Sequence, residues 1–91
     1  MRMTGKFTDF YVDVTKNGVK IPQEKYLNNG AYPIIDQSRK QIAGKWNDRD
    51  GIFDDVPAII FGDHTRVIKY VTEPFFIGAD GVKILRPVNA N

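Results

Sequence analysis

The chain has 91 residues, 42% of them hydrophobic, with thirteen Lys and Arg against eleven Asp and Glu, a net charge of +2. That length allows one small domain, spanning 1–91, which buries about 60–65% of the surface its unfolded chain exposes. No apolar run approaches the ~20 residues of a membrane helix, no signal peptide opens at Met1, and the lack of cysteine excludes disulfides and thiolate metal sites. A cytoplasmic protein with no membrane partner is the expectation.

In chain order, Thr8–Thr15 (TDFYVDVT) alternates β-branched residues and fits a strand as well as a helix. Pro22–Gly30 (PQEKYLNNG) predicts a single helical turn, with Pro in the first turn and Gly30 as the C-terminal cap. Tyr32–Gln37 (YPIIDQ) predicts a strand, rich in β-branched residues and bounded by turn formers. Arg39–Arg49 (RKQIAGKWNDR) then holds four cations and one acid, with Trp46 among them. A basic, aromatic-bearing patch and a solvated charged loop fit that composition equally.

Pro57–Gly62 (PAIIFG) and Arg66–Val71 (RVIKYV) predict two further strands, the second with Lys69 on its wetter face. Phe75–Leu85 (FFIGADGVKIL) predicts a hairpin, because Asp80-Gly81 can take positive φ at both positions. In Val82–Pro87 (VKILRP) the period of two puts Val82 and Ile84 on one face, Lys83 and Leu85 on the other. The chain closes on RPVNAN directly after this strand and reads as a piece that continues. These elements predict an α+β, β-dominated fold: a small twisted antiparallel or mixed sheet with little helix.

The lone histidine lies in Ala58–Arg66 (AIIFGDHTR). Asp63 and His64 are adjacent and tend to opposite faces, and Thr65 has no activated base beside it, so nucleophilic catalysis is disfavoured. One His without Cys is an uncommon zinc set. A magnesium site built on Asp36 would pair it with Asp80 and Lys83, whose spacing is one residue too long. Gly78 and Gly81 are turn glycines rather than a phosphate loop. Binding remains. Gln37, Arg39, Lys40, Lys45, Asn47 and Arg49, with His64, Thr65 and Arg66 at a second strand end, are side-chain types that reach base edges and phosphates, and Tyr32 and Trp46 could stack or simply pack. Trp46 is expected partly buried against the sheet, and Asp36 and Asp63 are expected to accept backbone N–H bonds in turns.

Four segments in register, YPIIDQ, IAG, IFGDHT and FFIGADGVKIL, resemble the target recognition domain of type I restriction–modification specificity subunits. The resemblance runs from about Asp9 to Pro87 and matches the front part of one such domain. It implies sequence-specific binding of double-stranded DNA without catalysis by this polypeptide, and no cofactor or metal of its own. The implied partners are methyltransferase subunits and, through them, restriction subunits; methyl transfer and ATP-driven cleavage belong to those partners. Motif residues such as Tyr32, Pro33, Asp36, Gly62, Asp63, Gly78, Asp80 and Gly81 are expected to be architectural, with base reading on Arg39, Lys40, Gln41, Lys45, Asn47, Arg49 and near Lys69, phosphate contacts from Lys6, Lys20 or Arg66, and the His64–Thr65–Arg66 end part scaffold and part DNA-facing. A protein-interaction fragment that forms a homodimer, or complements a missing half, is the alternative.

Overall fold

The computed structural model describes residues 11–87. Lys6, the start of the Thr8–Thr15 segment and the closing residues of RPVNAN lie outside them. Eight strands run in chain order: β1 (Tyr11–Asp13), β2 (Lys20–Ile21), β3 (Tyr32–Ile35), β4 (Gly44–Trp46), β5 (Ala58–Gly62), β6 (Ile68–Val71), β7 (Phe76–Gly78) and β8 (Val82–Pro87). Among the described residues, helix is confined to two 3-10 turns, Thr15–Asn17 and Gln23–Lys25. The β-dominated expectation holds. The single sheet does not: the strands form two four-stranded sheets, ordered β1-β8-β5-β6 and β2-β7-β3-β4. Among the described residues, no helix is long and apolar enough to cross a membrane.

The first sheet is antiparallel throughout. Its period-two pattern is clear in β5, where Ala58, Ile60 and Gly62 are buried and Ile59 and Phe61 half-buried. The second sheet is mixed, with β7 parallel to both neighbours and β4 antiparallel to β3. Phe75, Phe76 and Ile77 are all fully buried, because β7 is covered on both faces. On one side Ile35, Phe75 and Ile77 pack with Phe53, Ala58, Ile60, Val71, Val82 and Ile84 of the core between the sheets. On the other, Phe76 joins Ile21 and Ile34 beneath Tyr26, Tyr32, Trp46 and Ile52. Trp46 is half-buried there, as expected.

Three local expectations change. The Asp80-Gly81 turn forms with φ of 74° and 73°, yet β7 and β8 do not pair. The turn passes the chain from one sheet to the other instead of closing a hairpin, since β7 is already flanked by β2 and β3. The single turn expected over Pro22–Gly30 forms at Gln23–Lys25, but its C-cap is Tyr26 rather than Gly30, and Leu27 bridges to Lys45. In β6 the faces are reversed: Lys69 points inward and is 4% exposed, while Ile68 and Tyr70 face outward at 68% and 64%.

Candidate nucleic-acid interface

The end of β3, the β5–β6 turn and the Asp80-Gly81 turn meet at one side chain, Gln37. Its Oε1 accepts from the backbone N–H groups of His64 (2.9 Å) and Thr65 (3.2 Å). Its Nε2 donates to Asp80 O at 3.3 Å, and its own carbonyl accepts from Thr65 Oγ1 at 2.7 Å. One amide therefore fastens segments 27 and 43 residues apart. Glycine is required where they touch. A Cβ on Gly78 would collide with Tyr26 Oη, and one on Gly81 with the Gln37 amide.

Asp36 supports the same junction. Its Oδ1 accepts from Ser38 N at 2.9 Å and its Oδ2 from Tyr26 Oη at 3.0 Å, the turn role expected of it. Burial opposes its ionisation, but the bonds from Ser38 and Tyr26 and the charge of Lys69 outweigh that and hold the carboxyl below its ordinary range. The Tyr26 hydroxyl is pushed up, by burial first and then by Asp36. The Ser38 hydroxyl beside this carboxylate is buried without a hydrogen bond of regular geometry. These groups line a cleft of about 360 Å³ that includes Gln23, Thr65 and Asp80. Lys83 is on β8 in the other sheet, so the Asp36–Lys83 pairing required by a magnesium site has no basis in the topology.

Lys69 departs most from its expected place. Its ammonium donates to Asp36 O at 2.6 Å and to Lys40 O, which ties the loop after β3 to β6. Burial pulls its pKa below the ordinary value, with the Asp36 charge working the other way. The inward phase follows from register. Closure of the β5–β6 turn through Gly62 N–Val67 O (2.8 Å) sets Lys69 opposite buried Ile60.

The remaining expected residues divide in two. Arg39, Lys40 and Gln41 follow Gln37 on the loop held by Lys69, and Gln41 Nε2 donates to Tyr70 O at 3.3 Å. His64, Thr65 and Arg66 form the turn fastened by the Gln37 side chain. Around this junction the side chains of Arg39, Lys40, His64 and Arg66 are exposed and make no hydrogen bond or ion pair among the described residues. Asp63 is also exposed, and its carboxylate does not take the expected turn bond. Lys45, Asn47 and Arg49 lie elsewhere. Lys45 is half-buried on β4, Asn47 Oδ1 accepts from Ala31 N at 3.1 Å, and Arg49 borders a second cleft with Asp54 and Glu73 that shares no residue with the first. Gln37, expected among the side chains that reach base edges, spends its amide inside the fold, and Tyr26 is the junction residue that sequence reasoning did not assign. A single Gln after a strand, and a Tyr ten residues before its acid, leave no local signal.

Comparison with known protein families, curated protein sequences and solved structures finds no match to this chain.

Proposed function

We propose that this chain is the front part of a DNA target recognition domain of a type I restriction–modification specificity subunit. In this reading it binds double-stranded DNA sequence-specifically, directs methyltransferase and thereby restriction subunits to the target, and performs no chemistry itself. The supporting observation is the Gln37 junction. It brings together segments quoted for the resemblance and leaves Arg39, Lys40, His64 and Arg66 exposed around a rigid centre. Unpaired cations on fixed backbone are what phosphate positioning and base readout require. In a mobility shift with random-sequence duplex DNA, the chain retards the duplex at about 50 mM salt and releases it as salt rises. No retardation at low salt would refute the reading.

A second reading, the protein-interaction fragment, draws on Ile68 and Tyr70. Both are exposed on the outer face of the first sheet, beside a shallow apolar cleft formed by Tyr11, Ile59, Phe61, Ile68 and Leu85. Light scattering separates the two, since a chain that stays monomeric at every concentration argues against self-association.

A further inference from the structure

Arg66 has φ 64°, in the left-handed region where a Cβ crowds the backbone and glycine fits best. The turn needs only the backbone conformation there. The Arg66 N–H donates to Gly62 O at 2.9 Å, an interaction glycine would also make, and the guanidinium has no partner among the described residues. An exposed, unpaired arginine held where the backbone disfavours it points to a use for the side chain.

The surroundings narrow that use. Each backbone N–H from Asp63 to Val67 is consumed inside the protein: Asp63 by Gly81 O (2.6 Å), His64 and Thr65 by Gln37 Oε1, Arg66 by Gly62 O, and Val67 by Thr65 Oγ1 (3.3 Å). No N–H of the turn remains to build a phosphate nest. The exposed Asp63 carboxylate also adds negative charge to the turn, which disfavours a phosphate and leaves a neutral base edge unopposed. The anchored backbone gives the guanidinium a fixed base, as bidentate readout demands and a point-charge contact does not.

We propose that Arg66 is a specificity-determining residue, donating two hydrogen bonds to O6 and N7 of a guanine in the major groove, presented from the β5–β6 turn at the end of the first sheet. This rests on the DNA-recognition reading above. Selection from a random-sequence duplex library, using the full chain as wild type, Arg66→Gly and Arg66→Lys, tests it. The wild type enriches a motif containing a guanine. Arg66→Gly loses the preference at that position alone and binds the wild-type motif about tenfold to a hundredfold more weakly, with its thermal midpoint shifted by no more than a few degrees. Arg66→Lys keeps the charge and a weaker preference for the same guanine, because an ammonium can reach O6 and N7 but lacks the planar fork that fixes both bonds. If both variants enrich the wild-type motif, and Arg66→Gly merely weakens all sequences while flattening the salt dependence by about one charge, Arg66 is a phosphate contact and the proposal is overturned. A wild-type chain that enriches no sequence overturns the DNA-recognition reading itself, and this inference with it.

Discussion

Asp36 and Lys69 are charged side chains engaged by the fold. Lys69 reaches two loop carbonyls from an inward strand position, and Asp36 gathers Tyr26 and Ser38 at the base of that loop. Nothing in the local sequence distinguishes this lysine from a solvated one. The difference lies in carbonyls 29 and 33 residues earlier, which only the tertiary fold brings within reach. The pH consequence follows from Asp36. Its folded pKa is depressed, so its contribution to stability is present above the ordinary carboxylate value of 3.8 and is lost as pH falls through the folded value. Asp13 is shifted the same way: burial opposes its ionisation, and bonds from Thr15 with the charge of Lys83 outweigh it, so some acid sensitivity survives without Asp36. Asp36→Ala is expected to lower stability by about 2 kcal/mol at neutral pH through the lost charge-assisted bonds. In urea titrations the gap to wild type should narrow between neutral pH and a pH below 3.8, where the unfolded chain takes up its proton before the native carboxylate does. An equal gap at both pH values would contradict this account.

At the scale of the strand, burial rather than residue type decides what a substitution costs. Ile68 is 68% exposed on β6, whereas Phe76 is fully buried at the centre of the second sheet. Ile68→Lys should therefore change stability by no more than about 0.5 kcal/mol. Phe76→Ala should cost about 3–5 kcal/mol, a large share of the roughly 5–15 kcal/mol that holds a domain together. Paired urea unfolding curves check both, and the ordering would have to reverse if β6 presented its other face to the core. β5 and β8 were legible from sequence because they alternate or are bounded by Gly and Pro. β2 and β4 were not, having two and three residues, too few for a period to emerge. The apparent hairpin around Asp80-Gly81 misled because turn chemistry is local while strand pairing is not. The better guide was the unbroken apolar run Phe75-Phe76-Ile77, the pattern of a strand covered on both faces.

Across the whole molecule, β7 enters late in the chain between β2 and β3, and the residues immediately after it supply the turn that meets Gln37. The second sheet and the junction therefore share one segment, and exposed cations on the junction loop inherit their position from contacts between residues 29 to 43 apart. This separates affinity from stability. Arg39 and Lys40 are exposed, and their side chains make no hydrogen bond or ion pair among the described residues, so removing both should leave the thermal midpoint within a few degrees of wild type. If each neutralises one phosphate, their loss releases two fewer counterions on binding. The slope of log affinity against log salt should then become shallower by about 1.8 for the Arg39→Ala/Lys40→Ala chain. Anisotropy titrations of labelled duplex DNA over a series of salt concentrations measure that slope directly. With a net charge of only +2, the whole protein supplies little diffuse attraction, so the change must come from local contacts. An unchanged slope would place the DNA away from the 36–41 loop, and would leave the β5–β6 turn without neighbouring cations to hold the duplex against it.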